Sequence, residues 1–324
     1  MQKYLIFFTL FILAVSSLIF SSSVEKVYIG IKYSFRNFRT DGTVILVDPI
    51  NKNMVVYDLE LKQILNLYKY IGSYVINSFP IDDGYIIIDR VGQKISKISF
   101  EGWVINGLSF PRRVQQSLFQ DNSIYVLLEG GELNVFDTDL NKKFSYNFSG
   151  SPTFLFLWNG KIFVTYLWND NFDVEFVGEK PRKIGLTTPS ILVKDMLVDT
   201  RGGQLYNLGT GKIVKLAPYI SSADFDGSAY YVSSMSNQTI YVVQNDSVVY
   251  SFKVPYTPTA VKKIGENIVI LSASGNKVMV TNDGKDIKVF DTGDYPLEVF
   301  PLNDSQNSFA VYCSDSGEMY YYKF

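Results

Sequence analysis

Asp137, Asp139 and Asn141 stand at alternate positions in GGELNVFDTDLNKKFSYNFSGSP, residues 130–152. Oxygen ligands spaced in this way open a calcium loop, and an EF-hand loop then requires glycine at its sixth position and glutamate at its twelfth. Those positions hold Lys142 and Phe148, so the stretch reads as a polar turn between two strands. DPINKN at 48–53 and NDGKD at 282–286 read the same way. Histidine is absent from the chain, which removes the commonest general base and the commonest metal ligand. Cys313 is the single cysteine, so there is no intramolecular disulfide and no thiolate cluster; inside an apolar strand it reads as a small buried residue. No nucleophile stands at a spacing that pairs it with a base. The expectation is therefore no catalytic, metal or cofactor residues, and no cofactor. What remains is a set of interface-forming side chains in loops: Arg90, Arg112, Arg113, Trp168 and Arg201. Arg and Trp are the types that most often anchor interfaces, and these five are the candidate partner-binding face.

The elements that must position them repeat. Prolines stand at 111, 152, 189, 218, 255 and 296, each between an apolar stretch and a new strand-like one. Proline cannot donate to a sheet ladder, so the first residue of a strand suits it. After each proline comes a mixed stretch, a turn, and then a strongly apolar strand. Those apolar strands are TVILVD at 43, YIIID at 85, SIYVLLE at 123, KIFVTYL at 161, MLVDT at 196, SAYYVSS at 228, NIVILSA at 267 and SFAVYCS at 308. Nearly continuous apolar runs of this length suit strands buried on both faces. The phrase at 130–152 also returns as GGQLYNLGTGKIVKLAP at 202–218. In the unit after Pro152 the third strand is DVEFV at 173–177 and the fourth is RKIGL at 182–186.

Four antiparallel strands per unit of about 40 residues predict an all-β fold, a single β-propeller. Eight four-stranded blades are expected, with seven as the fallback. The final unit, ending in GEMYYYKF at 317–324, lacks a fourth strand, and VEKVYIGI at 24–31 is available to supply it and close the ring. The stretch YSFRNFRTDG at 33–42 then serves as the first strand of unit one.

Composition narrows the class. Of the 324 residues 47% are apolar, enough for a large core, and the formal net charge of −2 with no basic cluster gives no nucleic-acid footprint. Lys3 is followed by an apolar run at 4–20 and then Ser21–Ser22–Ser23, the order of a secretory signal peptide. Residues 1–23 are expected to be a signal peptide cleaved near Val24, or else an uncleaved N-terminal anchor, with residues 24–324 as the propeller domain. Either way the folded part is exported, to a periplasm, the cell envelope or the extracellular space. Asn147, Asn237, Asn245 and Asn303 begin N-x-Ser/Thr triplets, which matter only in a host that glycosylates exported proteins.

YNFSGSPTFLFLWNGKIFVTYL at 146–167 and FDTGDYPLEVFPLNDSQNSFAVYCSDSGEMYYY at 290–322 resemble YVTN-type propeller repeats, in which Gly and Pro precede the inner strand. GGQLYNLGTGKIVKL is similar to the quinoprotein (PQQ-like) repeat of the same WD40-like group. The resemblance extends over residues 24–324. It implies the propeller fold; the quinoprotein likeness covers a structural turn and no cofactor constellation. The expected function is a non-catalytic protein- or ligand-binding or assembly module of the cell envelope. Its partner is expected to be another envelope protein or a saccharide-like ligand, not nucleic acid. Membrane contact is expected only through an uncleaved N-terminal segment, and the protein is expected to be a monomer. The alternative is a lactonase-like or other hydrolase using carboxylates and Arg or Lys in the central funnel.

Overall fold

The structure is a computed structural model, and it describes residues 24–32, 37–40, 42–168, 171–302 and 307–323. The segment expected to be a signal peptide or anchor, part of the expected first strand at 33–42, and Asn303 lie outside the described residues.

Each apolar strand of the repeat is the second strand of an antiparallel blade, and among the described residues there are eight blades, seven of four strands and one of three. Blade 1 spans 37–69, blade 2 75–109, blade 3 114–147, blade 4 154–176, blade 5 189–215, blade 6 220–253 and blade 7 260–291. Blade 8 is made of Pro296–Pro301, Ser308–Cys313, Glu318–Lys323 and, as its fourth strand, Val24–Tyr28. No helix occurs among the described residues. The prolines mark the blade starts as the spacing predicts: Pro189 and Pro296 are the first residues of innermost strands, and Pro111, Pro152, Pro218 and Pro255 lie shortly before one.

One blade cannot bury its own apolar residues, because a sheet has two faces and each needs cover. The core is therefore divided among the contacts between blades. In Thr43–Asp48 of blade 1, Val44 and Leu46 pack with Ala310 and Tyr312 of blade 8. Ile45 and Val47, on the other face, pack with Tyr85 and Ile87 of blade 2. The period of two thus delivers alternate residues to opposite neighbours, which is why the run has no polar alternation. Burying each such side chain contributes about 1.5–3 kcal/mol. A cluster of this kind occupies each of the eight blade-to-blade contacts around the ring. The outermost strands have a single covered face at best, as in Gln63–Lys69, where only Tyr68 is buried.

The ring closes with the N-terminal strand, as expected. Val24 pairs with Tyr322, Val27 with Met319 and Tyr28 with Glu318, antiparallel. The Ile29 and Gly30 amides donate to Gly317 O, and Tyr312 OH donates to Ile31 O at 2.9 Å. A buried pair of hydroxyls, Tyr57 and Tyr321, 2.8 Å apart, joins blade 1 to blade 8.

Blade 4 departs from the expectation. Its third strand is only Val174–Phe176, and the expected fourth strand at 182–186 is reduced to one bridge, Val174 to Arg182. The cause is Asp173. Its fully buried carboxylate accepts from the backbone amides of Ile184 (2.6 Å), Gly185 and Leu186 (2.9 Å). Amides turned toward one carboxylate oxygen are not available to a ladder, so the segment wraps instead of extending.

Candidate partner-binding face

Antiparallel blades put the loops joining second to third strands, and those joining fourth to first, on one face of the disc. Arg90, Trp168 and Arg201 lie in second-to-third loops, and Arg112 and Arg113 in the loop between blades 2 and 3. All five therefore share a face.

Buried carboxylates hold these loops. Asp89 ends its strand with no solvent exposure and accepts from the amides of Ser73 (2.6 Å), Tyr74 (2.9 Å) and Gly92 (2.8 Å). Asp199 repeats the arrangement with Thr187 (2.7 Å), Thr188 (2.8 Å) and Gly202 (2.9 Å). Each ties the start of its blade to its own second-to-third turn, and so fixes the turns that carry Arg90 and Arg201. Gly202 permits this closeness: a Cβ there would lie 2.1 Å from Asp199 Oδ2. The sequence reading missed these positioning residues, although their signal was present as the aspartate closing YIIID and MLVD. In blade 4 Glu175 does comparable work, accepting from Ser149 N (3.0 Å) and from Tyr166 OH.

The side chains fall into two neighbouring groups. Arg90 forms an ion pair with Glu129 (3.6 Å), and Arg112 donates to Glu129 O (3.4 Å). Arg112 lies across Gly130, whose φ of +92° and missing Cβ both suit the position; a Cβ would meet Arg112 Nη1 at 2.4 Å. Trp168 is 58% exposed, and the Arg201 guanidinium stacks 3.9 Å from its ring centroid. Such a stack at an exposed site contributes about 0.5–1 kcal/mol. The Trp168 amide donates to Thr187 O (3.1 Å). Between the two groups runs a groove of about 390 Å³ lined by Gln115, Glu129, Gly130, Ser151, Thr153 and Trp168. Of the five candidate residues Trp168 lines the groove, while Arg90, Arg112, Arg113 and Arg201 lie outside its lining on the same face. The ion pair is solvated and holds little energy, so both arginines remain available to a ligand.

The stretches read as turns have turn geometry. The Asp137 carboxylate accepts from the amides of Asp139 (3.0 Å) and Asn141 (2.8 Å). Asp139 pairs with the nearly buried Lys97 (2.7 Å), which also reaches Asp83 (2.9 Å). Those hydrogen bonds, from Asp139 first and Asp83 next, hold the Lys97 ammonium pKa above its ordinary value. Asp48 accepts from Ile50 N (3.1 Å) and Asn51 N (2.8 Å). Asn282, Asp283 and Asp286 of NDGKD help line a polar cavity of about 420 Å³ on the opposite face. Among the described residues no three His, Cys, Asp or Glu side chains are grouped to hold a metal ion. Cys313 is buried as expected, 3.2 Å from Thr292 Oγ1, and burial pushes its thiol up to about 11.

Among the described residues, the innermost strands of blades 6, 7 and 8 carry a charged cluster that sequence reasoning did not single out. Lys262 of blade 7 pairs with Asp224 of blade 6 at 2.9 Å, and Lys263 N donates to Asp224 at 2.8 Å. Glu298, on the innermost strand of blade 8, lies within electrostatic reach of both Lys262 and Asp224. Protein packed around it raises its carboxyl to about 6, against the opposing pull of Lys262 and with the help of Asp224. The side chain nevertheless keeps its solvent exposure, so water screens much of the energetic consequence.

No family model matches the sequence, and no curated protein does. Solved structures do resemble it. Sqt1 of Saccharomyces cerevisiae superposes with a TM-score of 0.69 at 10% identity, over 94% of this chain and 100% of that one. BamB from Moraxella catarrhalis gives 0.61 at 13% identity, over 94% and 100%. A catalytically inactive histidine-to-alanine variant of virginiamycin B lyase from Staphylococcus aureus, with quinupristin, gives 0.58 at 12% identity, over 94% and 100%. At these identities the likeness concerns the fold alone: this chain is an eight-bladed β-propeller.

Proposed function

We propose that the chain is a non-catalytic binding or assembly propeller of the cell envelope, built on YVTN- or quinoprotein-type repeats. Its capture surface is the face bearing Arg90, Arg112, Arg113, Trp168 and Arg201. The observation that carries this reading is the groove between blades 3 and 4, lined by an exposed, arginine-stacked Trp168 and by Glu129 and Gly130, against which Arg112 lies. A rigid aromatic beside guanidinium groups suits an acidic protein surface or a hydroxyl-rich saccharide. The fold likeness to BamB accords with it. So does the lack of histidine, since the similar lyase was made inactive by replacing one. Trp168→Ala with Arg112→Ala is expected to reduce capture of the partner from an envelope fraction at least tenfold, about 1.4 kcal/mol. The melting temperature should stay unchanged, because neither side chain is buried. Unchanged capture, or capture lost together with stability, rejects this face.

The Asp224–Lys262–Glu298 cluster favours a second reading, a hydrolase acting in the central funnel. Turnover of a lactone or ester panel that disappears in Glu298→Gln would select it over the binding module.

A further inference from the structure

The outer rim of blades 1 and 2 exposes several large apolar side chains, interspersed with Glu60, Gln63, Asn66, Glu101 and Asn106. Leu61 is 65% exposed in the turn leading to the outer strand of blade 1, and Ile64 and Leu65 follow it, also exposed. Trp103 (75%), Val104 (70%) and Ile105 open the outer strand of blade 2 in the same way. The outer strand of blade 1 runs from the first set toward the second: Tyr68, near the end of Gln63–Lys69, donates its hydroxyl to Phe100 O (2.6 Å) in the turn before Trp103. Clustered exposed apolar side chains mark contact with a partner or a membrane. By contrast, the outer strand of blade 3 begins with Lys142 and Lys143.

The chain itself indicates the occupant. Val24 opens the outer strand of blade 8, and the next residue, Glu25, forms an ion pair with Lys62, the neighbour of Leu61. The apolar run at 4–20 ends at Phe20, four residues before Val24. Four residues span at most about 14 Å. If that run stays in a bilayer, Val24 at the blade 8 edge is held within this distance of its surface, and Lys62, next to Leu61, stands beside that edge through its pair with Glu25. Tryptophan with neighbouring branched aliphatics is the composition that settles at a membrane–water interface.

We propose that the rim formed by Leu61, Ile64, Leu65, Trp103, Val104 and Ile105 rests on the lipid bilayer that retains residues 4–20 as an anchor. On this reading the apolar run is the anchor and not a cleaved signal. The inference rests on the proposed envelope location and is independent of the Trp168 face. Blade 6 also exposes Val248, Val249 and Tyr250, with no chain terminus beside them, and supplies a control.

The full-length chain, reconstituted into phosphatidylcholine vesicles, tests the proposal through tryptophan quenching by brominated acyl chains. Quenching is expected in the parent protein, lost for the most part in Trp103→Phe, and kept in Trp168→Phe and Val249→Glu. Leu61→Glu with Val104→Glu should reduce quenching of Trp103 severalfold, with an unchanged melt showing that the fold survives. The proposal is overturned by equal quenching in the parent protein and Trp103→Phe. It is overturned also if the protein is recovered from cells in the soluble fraction beginning near residue 24, or if Leu61→Glu dissociates a dimer that shielded Trp103. Because no partner is present, failure here leaves the capture experiment standing, and the reverse.

Discussion

Single residues matter here mainly as turn-holders and as channel charges. Asp89, Asp173 and Asp199 are each fully buried and each accept three backbone amides, so their charge is spent on loop geometry. Glu298 is different, since the protein packed around it raises its carboxyl to about 6 although the side chain stays exposed, so the effect on stability is small. A carboxyl whose folded value exceeds its unfolded value stabilises the fold below the unfolded value, near 4.5. That contribution is lost as pH rises through about 6. Glu298→Gln removes the titration. The melting temperature of the variant relative to the parent should therefore increase between pH 4.5 and pH 7.5. A difference that stays flat across that window contradicts the account of Glu298.

At the scale of elements, blade 4 shows a carboxylate competing with a strand. Asp173 draws in the amides of residues 184–186 and leaves a single bridge in place of a fourth strand. Asp173→Ala strands three amides without an acceptor and is expected to cost about 2–4 kcal/mol, read as a lower denaturant midpoint. Hydrogen exchange should accelerate at 184–186 before it does in blades 1 and 8. Unchanged exchange there would mean that something other than Asp173 shapes the segment.

The whole molecule depends on ring closure. Without residues 24–31, Glu318–Lys323 becomes an unpaired edge carrying Met319, Tyr321 and Tyr322, all buried in the closed ring. Open apolar edges pair with other chains. A chain lacking 24–31 should elute as aggregate in size-exclusion chromatography with light scattering, or melt well below the parent. A soluble monomer of equal heat resistance would show that closure does not depend on this strand. Closure bears on one of the two proposed surfaces: the strand that completes blade 8 follows the apolar run, whereas the arginine–tryptophan face belongs to loops of blades 2 to 5.

The propeller was legible in the chain because its signals are local and repeated. TVILVD and its seven counterparts must be buried on both faces wherever they stand, and a proline can begin a strand but not sit in a ladder. The spare strand at 24–31 was legible by counting strands. The reduced fourth strand of blade 4 was not, because RKIGL has strand composition and only the position of Asp173 in space turns its amides away. The five face residues could be assigned to one side of the disc from loop order alone. That Arg201 stacks on Trp168, that Glu129 lies between Arg90 and Arg112, and that Asp224, Lys262 and Glu298 gather on three separate blades were decided only by tertiary structure. Residues tens of positions apart become neighbours through the angle between blades, and no periodicity within one strand encodes that angle.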